Sequence, residues 1–280
     1  MKELIEYILE NRGHDFEASY VSKFETKYRK GLEDMLGFKN NELEGSELEQ
    51  LGGKNNSRPL QTINNTLSIG SKNIEKTVGD DVVDILLTNA TQDIKLNLSL
   101  KYGRTITFLN CGIGQAFPKE CFDEYAKSNA ADKKFIPKEN KKYDGNLILN
   151  FFGIDPNRFA DVFISYKGTK RDEKPDKDNV TDKIDKNKFI DFIKSIVGYG
   201  YIIIHEIGNK VYYTDLRTED DMNNLIGSSI SSVNVYYPNN GGSKTVKVVT
   251  ELDKTIFTFS FRNKHGGIYP ADLTVSFKQK

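Results

Sequence analysis

The chain has 280 residues, of which 37% are hydrophobic and 29% charged, with 40 basic residues balanced by 40 acidic ones. That length suits one large domain or two small ones, and an aromatic content of 11% argues against wholesale disorder. Two cysteines, Cys111 and Cys121, without a CxxC pair argue against a disulfide framework or a zinc site and fit a reduced, cytoplasmic setting, while the zero net charge counts against a uniformly basic nucleic-acid binder and leaves room for a locally basic cleft.

Taken in chain order, residues 1–12 predict a short amphipathic helix, with acids spread through its apolar pattern, and not a signal peptide. No run approaches membrane-spanning length. A longer helix is predicted over 19–36, where Tyr20, Phe24, Tyr28, Leu32 and Leu36 recur at helical spacing and Gly37 stands at the C-cap position. Residues 40–58 are acidic and then rich in Gly, Asn and Ser, and are expected to form an exposed excursion. A β-hairpin is expected near 82–101, and a third strand over 105–109.

A turn at 110–115 precedes a helix expected after Pro118. The apolar runs 146–152 and 159–166 lean towards strand. Residues 167–188 are charged and polar with one proline, and are expected to be a solvated loop that divides a helix-plus-sheet part (1–166) from a β-rich part (189–280), unless the chain is one continuous domain. A helix over 189–197 and strands over 199–207, 210–214, 233–237, 244–250, 255–262 and 273–277 complete the reading, with a strong hairpin signal at Pro238-Asn-Asn-Gly-Gly242.

The stretch Asp84 to Lys101 carries the sharpest chemistry. An acid opens the first strand and a lysine closes the second. Phosphodiester hydrolysis needs a divalent cation on the phosphate, a water aimed in line, and positive charge facing the developing anion. Magnesium takes carboxylates and waters, so one or two acids on neighbouring strands with a nearby lysine meet those needs. With the turn centred between Thr91 and Gln92, antiparallel register sets Asp84 opposite Ser99, and Lys101 shares their face because it lies two residues beyond Ser99. Asp81 is the rival acid if the strands bend. The competing reading is an ordinary hairpin with its polar face in water.

The run Asp81-Val-Val-Asp-Ile-Leu-Leu followed by Leu98-Ser-Leu-Lys101 resembles the PD-(D/E)xK nuclease signature, with Ser99 in place of an acid. Asn97 to Arg104, Leu109-Asn-Cys-Gly-Ile-Gly-Gln115 and Asn263 to Leu273 are similar to segments of small type II restriction endonucleases of the MspI type. The resemblance implies an α/β fold, with a mixed central sheet flanked by helices and a β-rich C-terminal part. It also implies magnesium-dependent, sequence-specific cleavage of double-stranded DNA, with a companion DNA methyltransferase as a further expected partner; a homodimer is compatible with it and is fixed by no residue.

On the same basis Asp84, with Asp81 as alternative, is the expected metal ligand. Lys101 orients or activates the water, Ser99 holds a metal-bound water or nothing, and Glu25 resembles the helix glutamate that completes such sites. Because Ser99 leaves the site one carboxylate short, Glu120, Asp123 or Glu124 are further candidates to supply it. Arg104, Gln115, Arg262, Asn263, Lys264 and His265 are the candidate DNA contacts, since arginine and lysine pair with guanine and asparagine with adenine. Each also reads as part of a charged surface turn. A structure-specific repair or resolvase-type nuclease and a non-catalytic DNA-binding protein are the alternative readings. Gly267-Ile-Tyr269, His205-Glu206, Gly112-x-Gly114 and a Cys111–histidine pair each lack the partners that their motifs require.

Overall fold

A computed structural model describes residues 15–39, 41–51, 61–63, 66–68, 82–112, 117, 147–164, 174–239, 243–262 and 272–279. Helical residues 15–23 run into a π-helical turn at Phe24–Tyr28 and then into helix α1 (Arg29–Leu36). Strands β1 (Glu47–Gln50), β2 (Gln61–Ile63), β3 (Thr66–Ser68), β4 (Ile85–Asn89), β5 (Ile94–Tyr102) and β6 (Ile106–Gly112) follow. Helices α2 (Leu147–Phe151) and α3 (Pro156–Ile164), strand β7 (Asp176–Asn179), helix α4 (Lys186–Val197), strands β8 (Tyr201–Ile207) and β9 (Lys210–Leu216) and helix α5 (Glu219–Ile226) come next. Strands β10 (Ile230–Tyr237), β11 (Thr245–Leu252), β12 (Thr255–Arg262) and β13 (Asp272–Gln279) close the chain. The fold is α/β, and among the described residues no helix is long and apolar enough to cross a membrane.

The chain divides into two compact units that interleave in sequence. The first takes Met1–Asn56, Lys76–Ile106 and Gly198–Asn224; the second takes the segments between them and the C-terminus. The division therefore does not fall at 167–188. Strands β8 and β9 leave the C-terminal half to pair beside β5, because a strand parallel to β5 has to arrive by a long crossover.

In the first unit the strand order is β1-β4-β5-β8-β9. All neighbours are antiparallel except β5 and β8, which run parallel, so the sheet is mixed. One face carries Ile85, Leu87, Leu96, Leu98, Leu100, Ile202 and Ile204 against Phe16, Tyr20, Phe24, Tyr28 and Leu32 of the helical segment. The spacing expected for the long helix thus produces its buried stripe, and Gly37 caps it in the left-handed region at φ 70° while Phe38 N–H reaches Glu33 O at 2.9 Å. Gly31 allows a close approach to β9: a Cβ there would lie 2.7 Å from Tyr213 Oη. The acidic excursion over 40–58 contributes β1, an edge strand paired with β4, and is not irregular throughout.

The second unit holds a six-stranded sheet in the order β6-β13-β12-β11-β10-β7, antiparallel from β13 to β7. The strand expected over 105–109 is β6 and belongs to this sheet, not to the sheet of the hairpin. On β12 burial alternates strictly, and Phe257, Phe259 and Phe261 point inward. Phe152, Phe189 and Phe192 meet Phe259 at ring-centroid distances of 5.3, 5.3 and 5.9 Å.

Two expectations are corrected in this unit. The runs 146–152 and 159–166 were expected to be β-leaning, but where the structure describes them they contribute to helices α2 (Leu147–Phe151) and α3 (Pro156–Ile164). Short apolar runs do not distinguish strand from helix, and the deciding signal was Asp155-Pro156: Asp155 Oδ1 accepts N–H bonds from Asn157 and Arg158 at 2.8 and 3.1 Å, with proline in the first turn. The charged segment supplies edge strand β7, whose Asp178 and Asp176 pair with Arg158. Charge on an edge strand discourages pairing with other chains.

Candidate active site

The site begins in the β4–β5 turn. Asn89 Oδ1 accepts Thr91 N–H at 3.1 Å and Thr91 Oγ1 at 2.7 Å, while its Nδ2 donates to the carbonyls of Glu42 and Glu44 at 3.1 and 3.2 Å. These bonds fix a short polar turn and with it the strand register. Ile85 faces Leu98 and Leu87 faces Leu96, the register expected from the turn centre between Thr91 and Gln92.

Asp84 stands where β4 enters the ladder. Its N–H donates to Leu98 O at 2.9 Å and its carbonyl accepts Leu51 N–H at 3.0 Å. Its side chain then takes a place that a backbone carbonyl would otherwise fill. Asp84 Oδ2 accepts Leu100 N–H at 2.6 Å and Ser99 Oγ at 3.2 Å, and lies 3.9 Å from Lys101 Nζ. Asp84, Ser99 and Lys101 are therefore together on the face opposite the helical core. Ser99 is 1% exposed.

Burial pushes the Asp84 carboxyl above the ordinary aspartate range; Lys101, the Leu100 N–H and Ser99 pull it back, and the charge of Glu17 pushes it further up. Burial wins, so the positive partners present do not fully offset the cost of ionising this group. A dication beside it would. Asp84 supplies a hard oxygen ligand; the charge of Glu17, on the helical segment and bonded by Gln50 Nε2 at 2.7 Å, acts on it. That donor chemistry suits magnesium, which keeps several waters and needs only one or two carboxylates. Among the described residues no group of three or more metal-ligating side chains is gathered.

Glu25 is engaged elsewhere. Its Oε2 lies 2.7 Å from Arg29 Nε and its Oε1 accepts Gly45 N–H at 3.4 Å. Glu25 was expected from the resemblance alone; the acid of this segment whose charge acts on Asp84 is Glu17, two turns earlier. Arg104 lies exposed in the turn that follows β5. Arg262 ends β12 in the second unit, opposite Thr245 and Asp272. Asp81, Gln115, Glu120, Asp123, Glu124, Asn263, Lys264 and His265 lie outside the described residues.

Sequence reasoning missed His205 and Glu206. Parallel pairing sets His205 beside Lys101 and Glu206 beside Tyr102. His205 Nε2 lies 2.6 Å from Gly103 O, and burial holds its pKa below the ordinary histidine value. It is therefore neutral at neutral pH, donating Nε2–H to that carbonyl. Glu206 projects to the helical face, where Lys27 Nζ and Tyr28 Oη reach its Oε2 at 2.7 and 2.8 Å. Its carbonyl accepts Gly103 N–H at 3.0 Å. Both residues thus hold the turn after Lys101. The His205-Glu206 pair was visible, but its position beside Lys101 depends on a crossover of about a hundred residues that no local pattern encodes.

Against known proteins, no family model, no curated protein and no solved structure matches this chain.

Proposed function

We propose that this chain is a magnesium-dependent endonuclease that hydrolyses phosphodiester bonds in double-stranded DNA, in the manner of a type II restriction enzyme. One observation carries the reading: Ser99, the Leu100 N–H and Lys101 converge on Asp84 Oδ2 at the mouth of a central hairpin, with the carboxyl pushed up by burial. Burying a polar trio in a sheet costs stability and needs a reason beyond folding.

Asp84 is the residue that would hold the cation, with waters filling most of its shell. Magnesium, when bound, would polarise the phosphate and lower the pKa of an attacking water. Leu100 N–H and Ser99 Oγ fix the orientation of the Asp84 carboxylate, so that it does not rotate as charge builds. Lys101 holds its ammonium 3.9 Å from that carboxylate, where it orients the water and faces the developing negative charge. In the hydrolysis the water oxygen forms a bond to phosphorus and gives up a proton to solvent, the opposite P–O bond breaks, and the leaving oxygen takes a proton from solvent. Arg104, exposed on the turn held by His205 and Glu206, would contact a phosphate or base beyond the cleavage point.

Plasmid cleavage in magnesium, run on wild type and Lys101→Ala, tests the reading. Discrete fragments from wild type and a rate about 10²–10³-fold lower in the variant are expected, the usual cost of losing one transition-state contact. DNA binding without cutting by wild type would contradict catalysis, and cutting confined to branched DNA would move the reading to a structure-specific nuclease.

A further inference from the structure

Lys101, His205 and Tyr212 form one row across three adjacent strands, since Lys101 pairs with His205 and His205 with Tyr212. Val211 and Tyr213 pack on the helical core, so Tyr212 and its alternate neighbour Lys210 project to the opposite face, that of Asp84 and Ser99. Ile207, two residues beyond His205, shares this face and pairs with Lys210. Tyr212 is 48% exposed and Ile207 37% exposed, among the few large apolar side chains in the described structure left open to water. The His205 ring lies beside Tyr212 at a centroid distance of 6.4 Å.

The surroundings select the occupant. On this face β8 and β9 present Tyr201, Ile203, His205, Ile207, Lys210, Tyr212 and Thr214, with no acid among them. Cations stand on both sides: Lys210 on β9 and Lys101 on β5. A half-exposed phenol beside an aliphatic side chain, flanked by lysines and next to a neutral imidazole, has the chemistry that single-stranded nucleic acid uses, in which a base stacks and its phosphates meet cations. Two inter-strand spacings of about 4.8 Å separate Lys101 from Tyr212, roughly the reach of a neighbouring nucleotide.

We propose that Tyr212 with Ile207 is a stacking platform for one unstacked nucleobase next to the phosphate taken by Asp84 and Lys101. The inference rests on the endonuclease reading and sharpens its substrate class to DNA in which a base near the cut is bulged, flipped or at a strand end. Removing a base from the helix costs less where it is already unpaired, so such DNA is the preferred ligand.

The test is fluorescence anisotropy with the full chain, without divalent metal so that nothing is cut. Two labelled duplexes are used, one fully paired and one with a single-nucleotide bulge. Wild type is expected to bind the bulged duplex more tightly. Tyr212→Ala should weaken bulge binding about tenfold, in the range of one base–aromatic stack, and leave the paired duplex unchanged, while Tyr212→Phe should retain wild-type affinity for both. Because Tyr212 is half exposed, the variants keep the fold. Equal affinity of wild type and Tyr212→Ala for the bulge, with Lys101-dependent cleavage intact, would overturn the platform alone. Binding of neither duplex by wild type would overturn the platform and the endonuclease reading together. A dimer that Tyr212→Ala dissociates would overturn the platform by assigning the face to a second copy of the chain.

Discussion

The two units each build a sheet, and the two sheets use their faces differently. On β12 of the second unit every inward residue is buried and every outward one is partly open, so alternation alone accounts for Phe257, Phe259 and Phe261. On β5 of the first unit Leu98 and Leu100 enter the core, yet Ser99 between them is equally hidden, and Asp84 beside it keeps a carboxyl whose ionisation is disfavoured. Folding accounts for the inward phenylalanines of β12. On β5 it accounts for the leucine face, and the polar residues on the other face, gathered around one carboxylate, are where a chemical function belongs.

The largest expected effect on stability lies in the second unit. Phe259→Ala removes a ring that meets Phe152, Phe189 and Phe192, and should cost about 3–5 kcal/mol in urea-monitored unfolding. A cost under about 1 kcal/mol would mean that the phenylalanine cluster is not the centre of that core. In the first unit, Gly31→Leu forces a side chain into Tyr213 and should cost about 1–3 kcal/mol by overpacking. Smaller still is Glu206→Gln, expected to cost about 1–2 kcal/mol in the same assay: it weakens the bond from Lys27, which is partly screened by solvent, and keeps an acceptor for Tyr28.

Much of the fold was legible. The helix stripe from Tyr20 to Leu32, the Gly37 cap, the hairpin register and the C-terminal meander all follow from periodicity and turn chemistry. Strand β6 was located but not its sheet, and α2 and α3 were read with the wrong period because apolar runs of seven and eight residues fit either structure. At the site, Asp84, Ser99 and Lys101 were legible because a tight turn makes their meeting a local matter. His205 and Tyr212 were not, because they reach Lys101 only through the parallel β5–β8 pairing. Glu25 was named from the resemblance, and no residue pattern pointed to Glu17.

The central claim is that Asp84 is kept for chemistry at a cost in stability. A carboxyl pushed above its ordinary range contributes stability that is complete below the unfolded-state aspartate value and is lost as pH rises through the folded-state value. Asp84→Asn removes that loss. The direct measurement pairs the magnesium-dependent cleavage rate with thermal unfolding of wild type and Asp84→Asn between pH 4 and pH 8. Cleavage is expected to fall by about 10²-fold or more, while the Tm of the variant exceeds that of wild type at pH 8 and the difference closes as the pH falls. A variant that cuts as wild type does, or one that loses Tm at pH 8, would contradict the account.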